Sequence, residues 1–152
     1  MGFKKYFVRL LKKVLTESHG SILICCPVDR LNKIDELKDG VSLDPKLDFL
    51  SAFSTYRKLS TAESLAKLQS CEKLLAGLLM CDGTVVFDMF GSVIAYRVFY
   101  RPNTPKVELT QVAIGGARRR AFDGIKELLR RGLVSALFRS QDGLTICERK
   151  SQ

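Results

Sequence analysis

"GTVVFDMFGSVIAYRVFY", residues 83–100, alternates β-branched and aromatic residues on both sides of a Phe90-Gly91 pair. Period-two alternation about a glycine turn is the signature of two strands joined as a hairpin. The segments around it have other periods. Upstream, "STAESLAKLQSCEKLLAGLLM" (60–80) has helical spacing, and Ser60 stands three residues before Glu63, a capping-box interval that predicts one long helix to Met80. Before that, "DGVSLDPKLDFLSAF" (39–53) places Pro45 in the first turn of a helix capped by Asp44. "DRLNKIDEL" (29–37) is polar with room for a short helix, and "SILICC" (21–26) is a buried strand stopped by Pro27. The chain opens with "FKKYFVRLLKKVLTES" (3–18), which sets Phe3, Phe7, Leu10, Leu11, Val14 and Leu15 on one helical face and five cations largely on the other. Such a helix can lie on an anionic membrane or pack on a sheet, and packing is the expectation because a buried strand follows directly.

Downstream, "RPNTPK" (101–106) is an exposed loop, followed by a short polar-apolar segment and a helix from Ala117 to Arg130. "LVSALFRS" (133–140), a "QDG" turn and "LTICE" (144–148) form a second hairpin. Hairpins interleaved with helices predict an α/β fold with a mixed central sheet flanked by helices. With 152 residues and no repeat or linker, the expected organisation is a single domain over 1–152, its residues 1–18 an N-terminal amphipathic helix.

Composition narrows the chemistry. Hydrophobic residues make up 46% and charged residues 27%, a globular balance, and no apolar run approaches the roughly 20 residues that span a bilayer. A formal charge of +9 favours acidic partners: nucleotides, nucleic acid or an anionic surface. Five cysteines at positions 25, 26, 71, 81 and 147 match no zinc spacing, so they are expected to be reduced and mostly buried in a cytoplasmic protein. His19 is the only histidine, which rules out a metal site built from several of them. Beside Gly20 it has a helix-ending role.

Three short stretches can carry chemistry. "GGARRRAFDG" (115–124) gathers Arg118, Arg119 and Arg120 at a helix entrance where the backbone is already partly positive. In regular helix, steps of about 100° would spread the three over roughly 200°. A glycine lead-in through Gly116 and the small Ala117 lets backbone N–H groups approach an anion while guanidinium forks grip phosphate oxygens. Two readings stay open there, phosphate grip and solvated basic patch. In "CDGTVVFD" (81–88), Asp82 precedes Gly83 at a helix-to-strand junction, where a carboxylate is exposed at a sheet end, although Asp-Gly is most often merely a turn. Asp88, before the Phe90-Gly91 turn, belongs to the hairpin. "SQDG" (140–143) suits a tight turn between strands, with Ser140 and Asp142 at its corners.

Taken in order, these segments resemble the diadenylate cyclase domain family. "HGSILIC" and "DGVSLDPKLD" are similar to its opening strand and Gly-hydrophobic-x-Leu-Asp segment. "DGTVVFDMFGSVIAYRVF" resembles its Asp-Gly-Ala motif with hairpin, "GGARRRAFDGI" its Gly-Thr-Arg-His-Arg motif with helix, and "LVSALFRSQDGLTI" its closing strands and Ser-acidic turn. In that family two domains meet face to face, each holding one ATP, and a metal-assisted 3′-hydroxyl of each attacks the α-phosphate of the other. The resemblance implies that Asp82 serves a divalent metal, Mn²⁺ or Mg²⁺, and the attacking hydroxyl. It implies that Gly83 and Thr84 line the nucleotide pocket and that Arg118 and Arg120 meet phosphates, with Gly116, Ala117, Arg119, Ser140 and Asp142 at the same site.

The chain departs from the pattern at positions that matter. Ala117 stands where Thr is usual, Arg119 where His is usual and Thr84 where Ala is usual, and the acidic pair after the serine is Gln141-Asp142 with a shorter turn. Phosphate binding looks intact while catalytic geometry does not. The implied function is binding of ATP or a cyclic dinucleotide, with condensation of two ATP to cyclic di-AMP if the site is active. A catalytically inactive sensor is the first alternative. A basic nucleic-acid-binding module is the second, weighing less because the cations are scattered and no RNA-recognition aromatic motif is present. A face-to-face homodimer is the partner implied, and membrane contact is not expected.

Overall fold

The structure, a computed structural model, describes residues 2–37, 39–103 and 116–150. Residues 104–106 of the predicted loop, the polar-apolar segment after them and Gly115 lie outside the described residues. The elements run α1 (Phe3–Glu17), β1 (Ser21–Cys25), α2 (Val28–Leu31), β2 (Val41–Leu47), α3 (Phe49–Leu59), α4 (Ala62–Met80), β3 (Thr84–Phe87), β4 (Val93–Val98), α5 (Ala117–Glu127), β5 (Ser135–Arg139) and β6 (Thr145–Arg149). The six strands form one sheet in the order β2-β4-β3-β1-β5-β6. β1 and β3 pair in parallel and every other neighbour pair is antiparallel, so the sheet is mixed, as the hairpins predict.

Strand alternation divides the core between the two faces of the sheet. Leu23, Val85 and Phe87 point to the side covered by α1, α3 and α4, where Leu10, Val14, Phe49, Leu68 and Leu75 pack. Ile22, Ile24 and Val86 point to the side of α5, against Phe122, Ile125 and Leu128. Being covered on both faces, β1 and β3 are near-continuous apolar runs. The α1 stripe lies in the core as expected, with Tyr6 added to it: Tyr6, Leu10, Val14 and Leu15 are buried and Phe3, Phe7 and Leu11 pack partly exposed.

Four local expectations are corrected. Pro45 lies within β2, not in a helix, after a cis Asp44–Pro45 peptide. Because β2 is an edge strand whose register with β4 shifts between Ser42 and Leu47, the missing N–H of proline is tolerated there. The helix begins at Phe49 instead, capped by Asp48, whose carboxylate accepts from the Ser51 N–H. The capping box sits one residue later than read: the Thr61 hydroxyl accepts from the Ser64 N–H, and the Ser64 hydroxyl accepts from the Thr61 N–H. Ser60 closes α3 in the left-handed region, where its N–H reaches Tyr56 O, which separates two helices.

The remaining corrections are smaller. The polar stretch 29–37 holds two short pieces, α2 and a 3-10 turn at Asp35–Leu37. The predicted helix to Arg130 is α-helical to Glu127 and tightens into a 3-10 turn over Leu128–Arg131. Cys26 and Cys71 are buried and Cys25 is half-buried, but Cys81 and Cys147 are exposed, because one ends α4 and the other lies on the edge strand β6.

Asp88 holds the β3–β4 hairpin, as its position implies. One carboxylate oxygen accepts from the N–H groups of Phe90 and Ser92, at 2.9 and 2.8 Å, and the other accepts from Lys46 Nζ at 2.8 Å. Burial pushes its carboxyl up, but the Lys46 bond and the two N–H donors outweigh this and hold it below the ordinary value. A depressed folded value means that the Asp88 contribution is complete above the unfolded carboxylate pKa, roughly 3.9, and is lost as pH falls through the folded value. Asp88→Ala strands two hydrogen-bonded N–H groups and is expected to cost about 2 kcal/mol at neutral pH. Urea denaturation at neutral pH and near pH 3 checks this, with the difference between wild type and variant shrinking at the acid end.

Candidate anion-binding groove

Strand direction assembles the site. β1 and β3 run in parallel, so their amino-terminal leads, Gly20 and Asp82, lie side by side at one edge of the sheet. β5 runs against β1, with Ser21 opposite Arg139, so the carboxyl end of β5 and its turn arrive at the same edge. The amino terminus of α5 completes it. Gly20, Asp82, Gly116, Ala117, Arg118, Arg119, Phe138, Arg139, Ser140 and Gln141 line an open groove of about 500 Å³, within the range of small-molecule sites.

Arg118 closes one side of this groove. Its guanidinium donates to Asp82 Oδ1 at 2.8 Å and to the His19 carbonyl oxygen at 2.9 Å, joining three segments of chain. Both side chains remain in contact with water, at 44% exposure for Arg118 and 79% for Asp82, so the pair is exchangeable and contributes little to stability. Arg119 lies over the Phe138 ring, 5.7 Å from its centroid, and its Nε meets Asp123 Oδ2 at 3.3 Å. Asp123 also pairs with Lys126; burial pushes its carboxyl up, but these two cations hold it below the ordinary range. Arg139 donates to Thr145 Oγ1 at 3.1 Å and to the Gly143 carbonyl at 3.3 Å, anchoring it over the β5–β6 turn.

Three arginines thus line a groove in which, among the described residues, Asp82 is the only carboxylate. Helix α5 adds to the same sign: its N-cap is Gly116, with no side-chain cap and no acid in the first turn. Gly20 is needed at the rim, since at φ +93° a Cβ there would stand 3.2 Å from Arg139 O and 3.5 Å from Arg118 Nη1. A scan of family models finds no match to this chain, and no curated protein matches it. The chemistry of the groove therefore rests on its own residues.

Of the residues singled out from the sequence, the fold brings together Asp82, Gly116, Ala117, Arg118, Arg119 and Ser140. The others stand apart from the lining. Thr84 is buried at the start of β3, paired with Ile22 and Val98. Gly83, at φ +100°, backs onto Arg97, where a Cβ would come within 2.9 Å of the backbone. Arg120 is exposed one helical step beyond Arg119, and Asp142 is exposed at the turn. The Ser140 hydroxyl is occupied in that turn, accepting from the Leu144 N–H at 3.0 Å. Among the described residues no group of three or more His, Cys, Asp or Glu side chains could hold a metal ion. Sequence reasoning missed Arg139, Phe138, Gly20 and the His19 carbonyl. Arg139 had one usable signal, its place as the last residue of a strand immediately before the Ser140 turn, but only the β1–β5 pairing brings it here.

Proposed function

We propose that the groove binds the phosphates of an adenine nucleotide or a cyclic dinucleotide. The observation that carries this reading is a groove lined by Arg118, Arg119 and Arg139 beside an α-helix amino terminus that no side chain caps. Phosphate oxygens would compete with Asp82 and the His19 carbonyl for the Arg118 fork, so binding exchanges one exposed ion pair for a charge-assisted bidentate contact. The adenine preference rests on the motif resemblance alone.

Synthesis of cyclic di-AMP is the second reading, favoured by Asp82 lying in the same groove as the arginines. Divalent cations in nucleotide sites are commonly held by one or two carboxylates plus phosphate oxygens, and Asp82 fits that role for Mn²⁺ or Mg²⁺ arriving with ATP. When bound, the ion would polarise phosphoryl oxygens. What this chain contributes is orientation: Arg118 and Arg119 hold the phosphates, and a face-to-face second copy would present the other nucleotide.

Thermal unfolding with ATP, GTP and cyclic dinucleotides, each with and without Mn²⁺ or Mg²⁺, tests binding. Ligand at a hundred times its Kd stabilises by about 2.7 kcal/mol, which raises Tm by several degrees. No shift with any nucleotide defeats the proposal, and a steep loss of affinity with salt favours a nucleic-acid polyanion instead. Asp82→Asn separates the two readings. It removes a carboxylate that competes for Arg118, so nucleotide affinity without metal is expected to hold or rise, while any cyclic di-AMP formed from ATP by the wild type disappears.

A further inference from the structure

The β3–β4 hairpin ends in the largest exposed apolar side chain of the surface around it. Phe90 is 67% exposed, Met89 beside it is 53% exposed, and Val8 on α1 is 44% exposed. The turn does not hang free, since the Asp88 carboxylate accepts from the Phe90 N–H, and a Cβ at Gly91 would touch the rings of Phe7 and Phe3 at 3.4 and 3.6 Å. These residues and Lys4 border one apolar cleft of about 360 Å³ between α1 and the sheet. Lys4 lines the cleft, and Lys5, Arg9, Lys12 and Lys13 also stand exposed on α1, whose one acid is Glu17 at its far end. Asp88, the carboxylate of the cleft, is buried against Lys46.

A rigid apolar tip set in a cationic surface matches one kind of partner. We propose that Phe90, Met89 and Val8, with the exposed lysines of α1, dock the protein on a bilayer leaflet that contains anionic phospholipid. A second copy is a poor occupant, because like-charged α1 surfaces would oppose one another. The cations are those of the α1 basic face weighed in the sequence; with the α1 stripe taken by the core, the fold supplies the apolar part from Val8 and a turn about 80 residues away in the chain. It is independent of the nucleotide groove, since Asp82 precedes β3 and Met89 and Phe90 follow it.

The chain holds no tryptophan, so Phe90→Trp supplies a single reporter at the tip. With phosphatidylcholine vesicles containing phosphatidylglycerol at physiological salt, its emission is expected to shift to the blue and the protein to co-sediment, with neither effect on phosphatidylcholine alone. In the otherwise native chain, Met89→Ser with Phe90→Ser is expected to lower the partition coefficient at least about tenfold, and Lys4→Glu with Lys5→Glu to lower it similarly. Thermal unfolding of each variant confirms that it is folded. Absence of binding to the anionic vesicles overturns the proposal. Unchanged binding of the double serine variant also overturns it, leaving only adsorption of a polycation. A blue shift with an acidic amphipathic Leu/Glu peptide but not with vesicles would assign the surface to a protein partner instead.

Discussion

Replacing Arg118 and Arg119 together by alanine is expected to weaken nucleotide binding by about 100-fold or more while leaving the protein folded. Each charge-assisted bond to phosphate contributes roughly 1.5–3 kcal/mol, and about 1.4 kcal/mol is a factor of ten in affinity. The lower end of the sum is the better guide, because Arg118 must first leave Asp82 and the His19 carbonyl. Stability should change by less than about 1 kcal/mol, since the Arg118–Asp82 pair is solvent-exposed and α5 keeps its buried face. Arg120→Ala is the control: it is exposed and outside the groove lining, so affinity should fall less than about threefold, the range of a screened surface charge. Isothermal titration with the nucleotide that gives the largest thermal shift measures all three variants. Equal losses from Arg119→Ala and Arg120→Ala would mean that the cluster acts as a diffuse patch and not as a site.

The largest stability effect is expected from Phe122→Ala, at about 3–5 kcal/mol. Phe122 is fully buried in α5, and its ring stacks on Phe138 with centroids 5.4 Å apart, an arrangement that adds to simple burial. Against a typical domain stability of roughly 5–15 kcal/mol this is a large fraction, so the urea midpoint should fall steeply. The proposed phosphate binding should fall with it even where the variant is still folded, because the Phe138 ring also carries the Arg119 guanidinium. Phe90→Ala makes the comparison sharp. That phenyl ring is 67% exposed, and its loss should cost less than about 0.5 kcal/mol. If the two phenylalanines prove equally costly, the division of the core described above is wrong.

The two outcomes also bear on how the site was read from the sequence. Asp82, Arg118 and Ser140 could each be picked out by residue type and by position at an element boundary, and the fold sets all three around one groove. Thr84 and Gly83 were drawn in by motif resemblance, yet period-two alternation alone puts Thr84 inside a strand, where it is buried. The motif resemblance pairs Arg118 with Arg120, whereas the groove is lined by the adjacent Arg118 and Arg119, and Arg120 is exposed outside the lining. Where local chemistry offered two neighbouring solutions, the sequence did not choose between them. Ser60-Glu63 and Thr61-Ser64 are both capping patterns, and the chain uses the second because Ser60 is needed to end the preceding helix. Asp44 and Asp48 can both cap a helix, and pairing of Val41–Leu47 with β4 takes the first away.

Periodicity and turn chemistry in the sequence alone determined that this chain is α/β, that it has hairpins within 83–100 and 133–148, and that its first helix turns an apolar stripe inward. These are properties of neighbouring residues, and their energies are local. Strand order, the parallel pairing of β1 with β3 and the antiparallel return of β5 were decided only by the tertiary structure, because they depend on burying both faces of one sheet at once. That non-local choice brings Gly20, Asp82, Arg118 and Arg139 to a single edge, and it leaves Phe90 in water while Phe87, three residues before it, is buried.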